Sequence, residues 1–260
     1  MNHRAVYIAS NSDQGTWHPI GRLALVDDYY EFVYLKGAET SDESKYLPGM
    51  PDHETVYRSK ELFPFFKNRL LSKKRSEYKK FLDWTGLGDG DMPPDPLAIL
   101  QVTEGKKSTD NYEVFPCPIR QGLDGYYEFK FFLHGTRHLP QQSRDAILNL
   151  EKNELLRVLD DLQNPSGDRA FLICNFDTVA LGYLPNYLTE EVFRLFETCP
   201  PDAINFSVEK VNASAPAGFS LLCGLRACWS DDSTPFSDEA FKPIPKGVNQ
   251  SCDALDSAVA

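Results

Sequence analysis

Long apolar runs are missing from this chain of 260 residues, although 42% of its residues are hydrophobic. No stretch approaches the roughly 20 consecutive apolar residues that a membrane helix needs. The residues that follow Met1 do not form the apolar region of a secretory signal. The sequence therefore predicts a soluble, cytoplasmic protein with enough apolar content to fold around a core.

Positive charge is also scarce. Lys and Arg number 27 against 38 Asp and Glu, which gives a net charge of -11. An acidic chain of this kind does not bind polyanions with its whole surface. Any nucleic-acid site must therefore be a local basic face.

Metal-binding and catalytic patterns are absent as well. The six cysteines and five histidines include no C-x-x-C pair and no clustered ligands, so we expect neither structural zinc nor another cofactor. The glycine string at residues 86–90 lacks the lysine of a phosphate-binding loop, and there is no G-x-S-x-G elbow. The sequence thus predicts a non-catalytic protein. A hydrolase without recognisable motifs stays open as a minor alternative.

Two segments with different patterns are separated by a linker. Residues 5–9, 20–26 and 29–35 have the composition of strands, with a turn at Asp27 and Asp28, and helices are predicted after Ser59 and over residues 76–85. The segment from Gly86 to Pro96 is rich in Gly and Pro and predicts a linker.

The second segment is predicted to be mostly β. Strands are expected at residues 126–133, 155–162, 169–174, 179–184, 204–209 and 219–229. One helix is predicted from Pro140 to Leu150 and another is predicted to be capped by Thr189. Short strands with few helices favour a small closed barrel.

An ordered set of motifs in this second segment resembles the HIRAN domain family. The motifs are Phe-Leu-His-Gly-Thr-Arg-His-Leu-Pro (132–140), Asn-Pro (164–165), Gly-Asp-Arg-Ala-Phe-Leu-Ile (167–173) and Leu-Gly-Tyr-Leu-Pro (181–185). The resemblance spans about residues 126–229. It implies an OB-like β-barrel with helices that binds single-stranded DNA or DNA ends. The two aromatic residues that the family pattern has after its arginine are His138 and Leu139 here.

The first segment resembles the N-terminal subdomain of HipA-type kinases over about residues 6–87. The matching runs are Ile-Gly-Arg-Leu (20–23), Tyr-Glu-Phe-Val-Tyr (30–34) and Leu-Phe-Pro-Phe-Phe-Lys-Asn-Arg-Leu-Leu (62–71). A kinase core is missing from the sequence. The resemblance implies an alternative function, in which residues 1–90 dock on a separate HipA-type Ser/Thr kinase and restrain it, as in toxin–antitoxin systems.

Together these patterns predict an α+β fold that is mainly β, with four parts. They are a HipA-like β subdomain with helices (1–90), a linker and connecting strand (91–120), an OB-like HIRAN barrel with two helices (121–236) and a loose C-terminal tail (237–260).

Two groups of residues are candidates for binding. Cations and rings of the second segment could line one groove and contact unpaired bases and phosphates: Lys130, His134, Arg137, His138, Arg169 and Tyr183. A basic patch of seven cations against Glu77 could contact phosphates or an acidic protein partner, although a solvated helix face explains it equally well: Lys67, Arg69, Lys73, Lys74, Arg75, Lys79 and Lys80. The leading hypothesis is a regulatory protein that binds single-stranded DNA or DNA ends.

Overall fold

The structure, a computed structural model, describes residues 5–11, 17–40, 46–88, 93–121, 125–164, 169–228 and 234–248. Within these ranges the chain forms two compact units. The first unit contains residues up to 75, residues 94–119 and residues from 236 onwards, and the second contains residues 76–93 and 120–235. Strand residues outnumber helix residues, 33% against 25%, and the sheets are antiparallel. The predicted α+β class with mostly strands is therefore confirmed.

The first unit is built on one five-stranded antiparallel sheet with the order β4-β3-β2-β1-β5. The turn between β2 and β3 contains Asp27 and Asp28, which both have positive φ, as a tight hairpin requires. The strands are β1 (Ala5–Asn11), β2 (Trp17–Val26), β3 (Tyr29–Tyr34), β4 (Tyr57–Ser59) and β5 (Tyr112–Pro116).

The core of the first unit lies between this sheet and two helices, α1 (Pro64–Lys67) and α3 (Pro96–Thr103). Phe66 in α1 is fully buried, and its ring centroid lies 5.9 Å from that of Phe32 in β3. The Phe32 ring covers Gly21 so closely that a Cβ atom there would lie 2.5 Å from it. Only glycine at position 21 leaves room for this packing.

Two segments outside the predicted first part also belong to the first unit. The segment 91–120, predicted as a linker and connecting strand, contributes α3, whose Asp95 side chain accepts a hydrogen bond from the N–H of Leu97, and β5, which pairs with β1. The tail that was predicted to be loose contains Phe241, which is buried against Tyr7. Burial of apolar side chains therefore holds both segments in the first unit.

The second unit begins with α2 (Tyr78–Trp84) and contains two three-stranded antiparallel sheets. One sheet has the order β10-β11-β6 and the other β7-β8-β9. Their strands are β6 (Tyr126–Phe132), β7 (Arg157–Asp160), β8 (Phe171–Cys174), β9 (Ala180–Tyr183), β10 (Ile204–Val211) and β11 (Leu221–Cys228).

Two longer helices belong to the second unit, α4 (Gln141–Leu148) and α5 (Asn186–Thr198). The start of α5 differs from the prediction, because Thr189 lies inside the helix and is buried instead of capping it. Within the described ranges, no helix combines the length and the apolar character needed to cross a membrane.

The predicted closed barrel is not formed by the described residues of the second unit. Its two sheets meet through single residue pairs, Leu155 with Ser207 at one edge and His134 with Tyr183 at the other. The reason is the length of β7 and β9, which have four residues each and give no continuous ladder to the second sheet.

Disulfides add covalent links that the cysteine spacing did not predict. Cys199, after α5, is bonded to Cys228 at the end of β11, and Cys117 is also disulfide-bonded. Cys174 and Cys223 are buried free thiols. Disulfides are rare in cytosolic proteins, so the cysteines give no support to a cytoplasmic location, which stays a prediction.

Candidate nucleic-acid interface

The loop after β6 is held against the last residue of β9. His134 and Tyr183 exchange backbone hydrogen bonds, each with an N···O distance of 2.9 Å. Gly135 follows with φ of 71°, and a Cβ atom there would lie 3.1 Å from Cδ2 of Tyr183. The absence of a side chain at Gly135 thus lets the backbone approach the tyrosine ring.

Two exposed side chains extend from the 3₁₀ turn Thr136–His138 that begins directly after this glycine. The hydroxyl of Thr136 anchors the turn by donating to the carbonyl oxygen of Ala217 at 2.7 Å. Arg137 donates from Nε to Nε2 of His138 at 2.9 Å. The turn therefore presents a guanidinium and an imidazole directly after the glycine that approaches the ring of Tyr183.

The hydroxyl of Tyr183 donates to a carboxylate oxygen of Asp161 at 3.0 Å. Burial and this carboxylate raise the pKa of Tyr183 above its ordinary value, so the ring is neutral at physiological pH. It can stack on a base but does not repel a phosphate. Sequence reasoning assigned Asp161 to a solvated edge and missed this contact, because the pairing of β9 with the Gly135 loop is not visible in the sequence.

Arg169 does not join this cluster. Tyr183 stands opposite Leu172 on β8, while the neighbouring Phe171 points to the other face of the sheet and contacts α5. Arg169, two residues before Phe171, lies with its guanidinium carbon 3.8 Å from the ring centroid of Phe193 in α5. Since successive residues of a strand alternate between faces, Arg169 and Tyr183 are on opposite sides of the sheet.

Lys130 is also separate from the loop. It lies on β6 opposite Gly224, and its ammonium group donates to Glu209 at 2.6 Å. Lys130 and His134 are four residues apart in the sequence, which corresponds to about 13 Å along an extended chain. The structure therefore brings together His134, Arg137, His138 and Tyr183, and leaves Lys130 and Arg169 elsewhere on the second unit.

The sheet face around Lys130 contains a hollow of about 310 Å³, lined by both polar and apolar residues, that sequence reasoning did not identify. Arg226 on this face lies 3.8 Å over the ring of Tyr126 and 4.0 Å from a carboxylate oxygen of Glu128. This face therefore pairs two cations with two carboxylates: Arg226 with Glu128, and Lys130 with Glu209. The period of two on β6, β10 and β11 could have predicted this shared face, but not its pairing of charges.

The basic patch does not consist of free cations alone. Arg69 is buried, where it donates to Asp110 at 2.7 Å and to the carbonyl oxygen of Gly105 at 2.8 Å. The other six cations are exposed, but they are divided between the two units: Lys67, Lys73, Lys74 and Arg75 in the first, and Lys79 and Lys80 in the second. Docking of residues 1–90 on a kinase stays a prediction.

Among the residues that the structure describes, no three or more His, Cys, Asp or Glu side chains are grouped so that they could hold a metal ion. The Asn164–Pro165 turn of the family pattern lies partly outside those residues. Comparison of the chain with protein-family profiles, curated proteins and solved structures gave no match.

Proposed function

We propose that this chain is a non-catalytic binder of single-stranded DNA or DNA ends, and that it uses the surface formed by Arg137, His138 and Tyr183, called here the Arg137 surface. One observation carries the proposal: the reciprocal backbone bonds between His134 and Tyr183, which hold the loop that carries the exposed Arg137 and His138 against the end of the strand that carries an aromatic ring. The HIRAN-like motifs in the sequence are consistent with it.

The side chains of the Arg137 surface match the chemistry of unpaired nucleotides. Planar guanidinium, imidazole and phenol groups stack on bases without regard to sequence, and arginine also pairs with phosphate in a bidentate fashion. A base-paired duplex hides the faces of its bases, so these groups favour single strands and frayed ends.

The acidic character of the chain limits the expected affinity. Asp161 lies beside Tyr183, and the net charge of -11 repels a polyanion as a whole. Binding should therefore be weak at physiological ionic strength and stronger at low salt, with a slope set by the few phosphates contacted.

Fluorescence anisotropy with a labelled single-stranded oligonucleotide at low salt tests the proposal. Arg137→Ala and Tyr183→Ala should each weaken binding by about 1–3 kcal/mol, the usual contribution of a base contact or a stacked base. Arg144→Ala is the matched control, because Arg144 is exposed on α4 and its side chain is bonded only to Gln141 in the described structure.

A hairpin duplex without free ends provides the second comparison and should bind more weakly than the single strand. Equal losses for Arg137→Ala and Arg144→Ala would show that only general charge matters. No single-strand binding by the intact chain at low salt would rule out the proposed function.

A further inference from the structure

The hollow of about 310 Å³ on the β10-β11-β6 sheet is built around a glycine of the central strand. Gly224 on β11 lies between Lys130 on β6 and Ser207 on β10. A Cβ atom at position 224 would lie 2.9 Å from Oε1 of Glu209, so the glutamate side chain passes directly over this glycine. The absence of a side chain at Gly224 therefore lets Glu209 reach across β11 to Lys130, whose ammonium group donates to Oε2 at 2.6 Å.

The second oxygen of Glu209 can accept a ligand. Lys130 binds Oε2, whereas Oε1, the atom over Gly224, accepts no hydrogen bond from any residue that the structure describes. The side chain of Glu209 is only 24% exposed. A carboxylate oxygen that is held in place and partly shielded from water is a strong acceptor for a charged N–H donor.

Arg226 offers donors in the same hollow. Its guanidinium carbon lies 3.8 Å from the ring centroid of Tyr126, and this stacking orients the plane of the group. Its Nε atom is 4.0 Å from the carboxylate of Glu128, which is beyond hydrogen-bond distance. Since no other described side chain accepts from this guanidinium, its donors can bind a carboxylate in a bidentate fashion.

The formal charges of the lining cancel. Four of the lining residues are charged, two of each sign: Lys130, Arg226, Glu128 and Glu209. A simple anion or cation would be attracted by two of these groups and repelled by the other two. The hollow therefore favours a ligand that carries both signs and has no net charge. Its volume is at the lower end of the about 300–1,000 Å³ of small-molecule sites, so the ligand is small.

One wall of the hollow is apolar. Leu155 lines it and is 47% exposed. The segment that carries this leucine is fixed beside β10, because Asn153 donates from its backbone N–H to Val208 at 2.7 Å and Leu156 donates to Phe206 at 2.8 Å. A ligand between the charged groups could therefore bury an apolar side chain against Leu155.

We propose that this hollow binds a free α-amino acid with an apolar side chain. The ligand carboxylate pairs with Arg226, its ammonium group donates to Oε1 of Glu209, and its side chain contacts Leu155. Arg226 and Gly224 are two residues apart on β11, about 7 Å along the strand, which is the scale of one amino acid with a hydrogen bond at each end. None of these residues belongs to the Arg137 surface, so the site goes beyond the proposed function.

Titration of the full chain into L-leucine and its derivatives, followed by ligand-observed NMR, tests the proposal. Leucine should bind at least about tenfold more tightly than N-acetylleucine, which has no ammonium group, and than leucinamide, which has no carboxylate. It should also bind more tightly than glycine, which has no side chain to contact Leu155. Equal affinity for leucine and both derivatives, or no binding of leucine, would overturn the proposal.

Two arginine variants separate the hollow from general charge. Arg226→Gln should weaken leucine binding by about tenfold or more, because it removes the bidentate donor. Arg157→Gln is the matched control: Arg157 is also exposed and lies 4.7 Å over the ring of Phe176, but it does not line the hollow. It should change binding by less than about twofold. Equal effects of the two variants would overturn the proposal.

Two further variants test the acceptor. Gly224→Ala puts a Cβ atom where the Glu209 carboxylate lies and should weaken leucine binding by about tenfold or more. Because this change also alters the packing of the sheet, Glu209→Gln, which keeps the size of the side chain and removes its charge, should have a similar effect. Glu197→Gln, at an exposed position of α5, is its control. Unchanged binding by the Glu209→Gln protein would overturn the proposal.

Arg137→Ala should leave leucine binding unchanged, so failure of this proposal and failure of the proposed function are distinguishable. Loss of leucine binding in the Arg137→Ala protein that equals the loss in the Arg226→Gln protein would place the amino acid elsewhere and overturn the proposal. The same NMR titration provides the readout.

Discussion

Gly182 lies so close to His134 that a Cβ atom on the glycine would be 2.9 Å from the histidine carbonyl oxygen. Its φ of 146° is also a conformation that residues with side chains rarely adopt. The pairing of His134 with Tyr183, and with it the geometry of the Arg137 surface, therefore depends on glycine at position 182.

Gly182→Ala is expected to destabilise the second unit by about 1–3 kcal/mol, the usual range for a strained backbone position. The measurement is urea unfolding followed by circular dichroism. Gly218→Ala is the control, because nothing lies within 4 Å of its added Cβ atom and its φ is not positive. Equal effects of the two changes would contradict this account of the His134 pairing.

Arg69→Ala should destabilise the first unit by about 3–5 kcal/mol, because it leaves the partly buried Asp110 without its partner. Arg69 also stacks on Phe65, with 4.2 Å between the guanidinium carbon and the ring centroid. Lys74→Ala, at an exposed position of the same basic patch, should change stability by less than about 0.5 kcal/mol. Unchanged stability of the Arg69→Ala protein would contradict the expected loss. Arg69 would then count among the available cations of the basic patch.

Glu239 provides a pH-dependent contribution to the stability of the first unit. Its carboxylate accepts hydrogen bonds from Lys242 and Lys36, which lower its pKa to about 2. A carboxyl whose pKa is lowered by folding stabilises the folded state above its unfolded pKa, and this stabilisation is lost as the pH falls through the folded value. It should therefore be present at pH 7 and disappear between about pH 4.5 and pH 2.

Glu239→Gln is accordingly expected to lower the urea midpoint at pH 7 by a small amount, with no difference from the original protein near pH 2. Because the three groups are exposed, added salt should also shrink the difference. Glu54→Gln serves as control, since Glu54 is exposed and has no ion pair among the described residues. A difference that persists at low pH would mean that packing, and not charge, is responsible.

The Cys199–Cys228 disulfide closes a loop of 29 residues in the second unit. The chain-entropy model then gives about 3.5 kcal/mol of stabilisation. The double variant Cys199→Ala, Cys228→Ala should unfold at correspondingly lower urea, as should the original protein after reduction. Cys174→Ala, which removes a free thiol, is the control for the loss of a buried cysteine. An unchanged urea midpoint for the double variant would contradict the expected stabilisation.

Strand prediction succeeded where alternation is regular. Ile204, Phe206 and Val208 alternate with polar residues in the sequence, and they are the buried side of β10. The same rule gave β6, whose odd-numbered aromatic residues are buried. The helix α3 was not predicted, because the Gly and Pro residues that precede it indicate a linker. A connecting strand was predicted within residues 91–120, but its pairing with β1, far away in the chain, was not.

The candidate site was predicted only in part, because it depends on pairing between distant segments. His134, Arg137 and His138 are neighbours in sequence, and the motif was sufficient to select them. The partnership of Tyr183 with Asp161 and the position of Arg169 on the opposite face depend on strand register. A shift of register by one residue would reverse these faces, and the sequence alone does not fix it.

By itself the sequence determined the mostly β composition, the buried alternating positions and the scarcity of positive charge, because these depend on local periodicity and on counts of residues. The tertiary structure decided which cations are available. Arg69 is buried next to Asp110, Lys130 forms an ion pair with Glu209, and Arg137 stays exposed on the loop that pairs with Tyr183.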